Sequence, residues 1–302
     1  MASTTEIKGR IDGIKETRKI TNAMYLIAST KLRKARSDLE QTRPYFDALR
    51  SEIKRVFRTV NDVDSHYFYP PDQEPEISGT YGCLVITADK GLAGAYNQNV
   101  LKEAQRLLKE HADMKLFVVG EYGRRFFTQR HIPIQRMFLY TAQNPTLDRA
   151  REISAMLLDQ YDAGQLKKIF IVYTDMENGM TACVHSTRLL PFHRTYFAPP
   201  ETEQKVSVPF EFDPSPTVVL NRIMHSYLTG FIYSALIDSF CSEQQARMTA
   251  MDSANRNAEE LLADLSLQYN RVRQAAITQE ITEVTAGAKA QRKKCRKEVQ
   301  VL

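Results

Sequence analysis

The residues best placed to do chemistry are the octapeptide Thr87-Ala88-Asp89-Lys90-Gly91-Leu92-Ala93-Gly94. It closes an apolar run at 83–88 (CLVITA) and precedes an amphipathic pattern, the setting in which a strand-to-helix turn offers backbone N–H groups to phosphate. Its glycines are spaced G-x-x-G, short of both G-x-G-x-x-G and G-x-x-x-x-G-K-[ST], so a turn that tightens the connection is the simpler reading. The histidines at 66, 111, 131, 185, 193 and 225 form no i, i+4 pair, which leaves a metal site without support. No G-x-S-x-G elbow and no Cys/His nucleophile spacing occurs. Asp162, Asp175 and Glu177 read as solvated loop acids. Cys83, Cys183, Cys241 and Cys295 are far apart, form no C-x-x-C, and read as small buried hydrophobes or incidental thiols. The residues therefore give no reason to assign a catalytic activity, a cofactor or a metal to this chain.

The elements that surround this loop are more informative. Residues 83–88, 115–120 and 169–174 are short, β-branched apolar runs. Amphipathic patterns at 99–111, 122–130 and 147–161 separate them, which predicts βαβ units and a mainly parallel, buried sheet. A further run at 181–190 follows the turn Glu177-Asn178-Gly179 and is expected to pair antiparallel at an edge. From Pro216 to Gly287 there is no internal proline, and Gly230 is the only other glycine. A helix of about 70 residues would run roughly 105 Å, longer than a globular core needs.

The first segment keeps a 4/3 register: Ile7, Ile11, Ile14, Thr21, Tyr25, Ala28, Leu32, Ala35, Leu39, Phe46, Leu49, Ile53, Val56 and Val60, skipping Arg18 and Thr42. A repeat of 3.5 residues drifts around a straight helix and keeps one seam only by supercoiling on a partner. Met251, Ala254, Ala258, Leu261, Leu265 and Val272 alternate in the same way, with small residues that permit close approach. Pro44 predicts a kink or break in the first helix. The proline-rich stretches at 66–79 and 191–216 read as connections. The fold class is therefore α/β: a long antiparallel coiled coil of N- and C-terminal helices with an inserted α/β domain. The expected divisions are 1–62, 63–208 and 209–287, followed by a disordered basic tail at 288–302.

Charge is distributed unevenly. The net charge is +5, yet residues 6–60 hold 14 Lys/Arg against 7 Asp/Glu, and 289–302 hold 6 against 1, so the remainder is acidic. Basic helices suit nucleic acid, a membrane surface or an acidic protein partner. At 43% hydrophobic with no stretch of 18 apolar residues, the composition predicts no membrane span. Residues 1–10 lack an apolar signal core, which points to a bacterial-type cytoplasm.

Two polar runs, 20–35 and 273–284, carry small and polar groups around the whole helix, as if other subunits enclosed them. The run K-x-T-R-K-I-T-N-A-M with I-A-S-T-K-L-R-K-A resembles the N-terminal signature of the gamma subunits of F-type ATP synthases. So do S-E-Q-Q-A-R-M-T-A-M at 242–251, Y-N-R-V-R-Q-A-A-I-T-Q-E-I-T-E-V-T-A-G-A at 269–288, R-P-Y at 43–45 and D-K-G-L-A-G-A-Y-N at 89–97. The resemblance covers about 7–288.

That resemblance implies a central-stalk rotor. The coiled coil stands within a ring of three alpha and three beta subunits, and a Rossmann-like foot contacts the epsilon subunit and the membrane c-ring. Rotation driven by protons or sodium then cycles the beta subunits, which hold the catalytic sites, so this chain itself is not catalytic. It implies no cofactor, no nucleic acid, and a peripheral place on the cytoplasmic side of a bacterial cell membrane. Arg273 and Gln274 match positions that hydrogen-bond an acidic loop of a beta subunit. Arg247, Thr278 and Glu283 match positions tied to coupling. Met24 matches a methionine that faces the acidic lever segment of a beta subunit, where a cation would add an unwanted ion pair. Lys31, Arg33 and Lys34 would face acidic partner or ring surfaces. No cysteine-bearing regulatory insertion of the chloroplast kind is present, so thiol control is not expected. The tail at 289–302 runs past the usual family end and is expected to project through the crown of the ring.

Overall fold

The computed structural model describes residues 4–59, 65–69, 79–111, 113–139, 141–177, 181–193, 196–197 and 211–299, with side chains at 58–59, 177, 181 and 290–299 set aside. The expected loop residues 70–78, 194–195 and 198–210, the turn at 178–180, Val60, the side chain of Cys295 and residues 300–302 lie outside the described set. The elements are α1 (Thr4–Thr59), β1 (Tyr81–Ile86), α2 (Tyr96–Glu110), β2 (Met114–Val119), α3 (Glu121–Gln129), β3 (Ile134–Phe138), α4 (Leu147–Asp162), β4 (Lys168–Glu177), β5 (Thr181–Leu190) and α5 (Pro216–Val299). Contacts divide the chain into two compact units, Ile27–Ala250 and Met1–Leu26 with Met251–Leu302.

The unit Ile27–Ala250 holds one five-stranded sheet in the order β3-β2-β1-β4-β5. β1 pairs parallel with β2 and β4, β2 pairs parallel with β3, and β5 pairs antiparallel with β4 at the edge, as the hairpin pattern predicts. Residues two apart on a strand share a face, and the burial follows that rule. Leu84, Ile86, Phe117, Val119, Ile169 and Ile171 join the first core with α4, α1 and α5. Cys83, Val85, Leu116, Val118 and Val172 join the second with α2 and α3. Helices on both faces explain why the parallel strands read as unbroken apolar runs.

Local chemistry sets the helix ends. Thr146 caps α4 by accepting the Arg149 N–H at 3.4 Å, and Gly164, with φ of 70°, follows its end. Ser215 Oγ accepts the Val218 N–H at 3.3 Å, with Pro216 opening α5 where a missing N–H costs nothing. β3 (IQRMF) was not expected. It is an edge strand on which only Phe138 is buried, so no apolar run marks it. Asp175 and Glu177 belong to β4 and Asp162 ends α4, so none of the three is the loop acid it resembled.

Of the first-segment register, every described member is buried or half-buried. Pro44 does not break α1, which continues to Thr59. A proline deletes one N–H, whereas Phe46, two residues on, packs its ring where a Cβ on Gly230 of α5 would stand, 2.1 Å from Cδ1. That contact holds the helix through the defect.

In the other unit, Ile7, Ile11, Met251 and Ala258 are buried. The Thr21 hydroxyl donates to the Asn255 side-chain oxygen, and Arg18 meets Glu259 at 3.5 Å. Residue numbers rise along α1 as they fall along α5, so the pair is antiparallel. Leu261, expected on the seam, is 52% exposed, and its neighbour Leu262 is the half-buried one. A step of four after Ala258, rather than three, keeps up with the 3.6-residue turn here. α5 continues to Val299, into the segment expected to be disordered. No proline or glycine follows Gly287, and the Ala, Lys, Gln and Arg found there favour helix.

Candidate functional site

Strand order reverses at β1, which neighbours β2 on one side and β4 on the other, and open α/β sheets bind ligands at the carboxyl ends of such strands. In this chain three donors at that position are already engaged by side chains. The Ala88 N–H donates to Asn97 Oδ1 at 3.0 Å, the Glu121 N–H to Asp89 Oδ1 at 2.8 Å, and the Gly123 N–H to Thr87 Oγ1 at 3.0 Å. Gly120 has φ of 97°, and a Cβ there would stand 2.2 Å from the Thr87 carbonyl oxygen. The turns after β1 and β2 are thus zipped together where a phosphate would need room.

What remains open is a cavity of about 670 Å³ lined by Asp89, Lys90, Gly91, Glu121, Tyr122 and Arg125, among others. Its acids and bases balance, so it has no focused positive field. Arg124 and then Arg125 hold the Glu121 carboxyl down at about 2, so the start of α3 already carries its own anion.

Helix α5 is bonded alongside. The Thr174 N–H on β4 donates to Ser239 Oγ at 3.2 Å, and Ser242 Oγ donates to the Thr174 carbonyl at 3.5 Å. Arg247 pairs through Nη1 with Glu243 Oε1 at 2.6 Å and donates from Nη2 to the Gly91 carbonyl at 3.1 Å. Both members of this pair are buried. Burial pushes the Glu243 carboxyl up, and Asp89 adds to that, while Arg247 and Lys31 oppose it. Nearby, burial raises the Tyr96 hydroxyl, and the charge of Glu243 adds to the shift.

The site residues expected from the sequence fall into two groups. Arg273, Gln274, Thr278 and Glu283 are exposed on α5 in the unit that includes Met251–Leu302. Thr278 Oγ1 donates to the Gln274 carbonyl at 2.9 Å, and Glu283 accepts from Gln279 Nε2 at 2.9 Å. At 3.6 residues per turn, Gln274 and Thr278 share a face and Glu283 points to the opposite side. Met24 is half-buried in the same unit. Lys31, Arg33 and Lys34 are exposed on α1 within Ile27–Ala250. Arg247, also within Ile27–Ala250, turns inward onto its own chain.

Three features escaped the sequence reading. Ile277, Ile281 and Val284 are exposed on one face of α5, at i, i+4, i+7 spacing. Glu243 lies four residues before Arg247, a spacing that could have marked the pair but not its burial. The Tyr67 hydroxyl lies 3.0 Å from Asp162 Oδ1 and 3.0 Å from His225 Nε2, and Asp162 also meets His66 at 2.9 Å. Cys83 and Cys241 are buried, and burial pushes both thiols up to about 12, as expected of inert cysteines. Among the described residues no cluster of His, Cys, Asp and Glu could hold a metal ion.

The chain thus combines long N- and C-terminal helices with an α/β sheet inserted between them in sequence and covered on both faces. The family model described as ATP synthase matches residues 3–291. The chain is 42% identical to the ATP synthase gamma chain of Caldanaerobacter subterraneus subsp. tengcongensis, over 94% of this chain and 98% of that one. It is 36% identical to the sodium ion specific ATP synthase gamma chain of Acetobacterium woodii, over 94% and 97%. Among solved structures, a chain of the Euglena gracilis mitochondrial ATP synthase (OSCP/F1/c-ring) matches in fold with a TM-score of 0.68 at 17% identity, covering 95% of this chain and 94% of that one. This chain belongs to the ATP synthase gamma chain family.

Proposed function

We propose that the chain is the central-stalk rotor of a bacterial ATP synthase that runs on protons or sodium ions, and that it is itself non-catalytic. Its terminal helices stand within three alpha and three beta subunits, its α/β domain meets the epsilon subunit and the c-ring, and rotation cycles the beta subunits. The observation that carries this reading is the face formed by Ile277, Ile281 and Val284, which are 47%, 63% and 74% exposed within the polar run 273–284 of α5. Apolar groups in such a row call for a cover that the described residues do not supply. Arg273, Gln274, Thr278 and Glu283 surround that row and offer polar contacts on the other sides; on α1 Lys31, Arg33 and Lys34 offer charged ones and Met24 an uncharged one. The turns bonded to each other at the strand ends, beside a cavity whose charges balance, support a mechanical rather than catalytic role. Among the described residues no helix is long and apolar enough to cross a membrane, which fits peripheral attachment on the cytoplasmic side through the complex.

The test is ATP hydrolysis by alpha and beta subunits mixed with this chain, beside each component alone. One copy per six-subunit ring, with hydrolysis well above that of the components, is the expected result. Failure to assemble, with nucleotide hydrolysis by this chain alone, would overturn the reading.

A further inference from the structure

The middle of α5 is joined by polar contacts within the chain to β4 and to the loop 88–94. The Thr174 N–H meets Ser239 Oγ at 3.2 Å, and Arg247 Nη2 meets the Gly91 carbonyl at 3.1 Å. These two pins are eight residues apart on α5, about 12 Å along the axis. The second is reinforced by the buried Glu243, which holds Nη1 of the same guanidinium at 2.6 Å. The loop it grips is itself anchored. Asn97 at the start of α2 accepts the Ala88 N–H at 3.0 Å, and Asp89 accepts the Glu121 N–H of α3 at 2.8 Å.

The geometry points to Glu243 and Arg247 as an internal torque lock, which fixes α5 to the carboxyl ends of the sheet strands through the Gly91 carbonyl. The inference rests on the rotor reading and assigns Arg247 to this chain's own loop instead of to a partner subunit. Apolar packing between a helix and a sheet resists separation but is non-directional, so it gives little resistance to sliding or twisting of the helix. A forked guanidinium held by a carboxylate and a carbonyl has one geometry, and a buried pair of this kind is best attested as a setter of register. Lysine would keep the charge but not the fork. Arg247 and Glu243 are therefore positioning residues: they act through the loop.

The experiment uses the complete ATP synthase in inverted membrane vesicles, and the assembled alpha–beta–gamma complex for hydrogen exchange. The variants are R247K and the double variant E243Q/R247Q, which removes both charges together and leaves neither unpaired. In both, amide exchange in 88–94 is expected to rise at least tenfold. Ion pumping per ATP hydrolysed is expected to fall at least threefold in the double variant and less in R247K. Unchanged exchange in 88–94 with altered pumping would overturn the lock and return Arg247 to a partner contact. Increased exchange with unchanged pumping per ATP would overturn its role in torque. Wild-type chain that fails to assemble at all would refute the rotor reading itself, a separate outcome.

Discussion

Substituting Gly230 by alanine sets two opposed effects against each other. Alanine in a helix interior is more favourable than glycine by about 1 kcal/mol. At this position, however, the new Cβ would stand 2.1, 2.2 and 2.8 Å from Cδ1, Cε1 and Cγ of Phe46. The ring must move, and overpacking of this kind costs about 1–3 kcal/mol. Phe46 is half-buried, which leaves it some room, so the net expectation is a loss of about 1 kcal/mol. Phe46→Ala removes the ring, and in that background Gly230→Ala should show only its helical gain of about 1 kcal/mol. The sign of one substitution thus reverses with the state of its neighbour, and the coupling is about 2 kcal/mol. Thermal or urea unfolding of the full chain and the four-membered set of variants, followed by far-ultraviolet circular dichroism, measures it. The same sign in both backgrounds would refute the claim that the ring occupies the space above Gly230.

Three further outcomes follow from particular contacts. Gly120→Ala combines a φ of 97° with a Cβ 2.2 Å from a backbone oxygen, and neither can be relieved by a side-chain rotation; a loss of about 3 kcal/mol or more in the same unfolding assay is expected, and one below 1 would contradict the zipped turns. Asp238 is raised to about 6 by burial, with the charge of Asp175 adding to it, so the folded state holds this proton more tightly than the unfolded state. Its stabilising share is fully present below the unfolded pKa near 4 and is lost as pH rises through 6; Asp238→Asn should raise stability at pH 8 by up to about 3 kcal/mol and much less at pH 4, as melts of both proteins at the two pH values would show. Ile281→Asp places a charge on the exposed row of α5: melting of the chain alone should shift by no more than about 0.5 kcal/mol, whereas co-purification with alpha and beta subunits should be lost, and retained assembly would count against that row as an interface.

The parts of this fold that could be read from the sequence are those where burial repeats with a period. The seam from Ile7 to Val56 and the apolar runs of β1, β2 and β4 each impose one environment on many residues, so they could be recognised without any partner in view. β3 could not, because an edge strand covered at Phe138 carries almost no pattern. Pro44 misled because its local cost is visible in sequence and the compensating Phe46–Gly230 contact, made across 184 positions, is not. The Glu243–Arg247 pair looks like any solvent-exposed i, i+4 pair; only the packing of α5 on the strand ends buries it. Asp175 looks solvated in sequence for the same reason, because Asp238, the acid it acts on, lies 63 positions away; Asp162 is exposed as expected, although it ends α4 and meets Tyr67 from 95 positions away.

The loop 87–94 shows how one motif can serve a mechanical end. Its position after β1 and its glycines suit phosphate binding, and the sheet order provides the crevice. Yet the Ala88, Glu121 and Gly123 N–H groups are each held by a side chain of the same chain, and α5 is tied alongside through Ser239, Ser242 and Arg247. Bonding the two turns to each other removes freedom that a ligand site needs in order to open and close. The helix is also tied by directed bonds to the ends of two strands. A joint that must carry load gains from that exchange, whereas a catalyst would lose its substrate site.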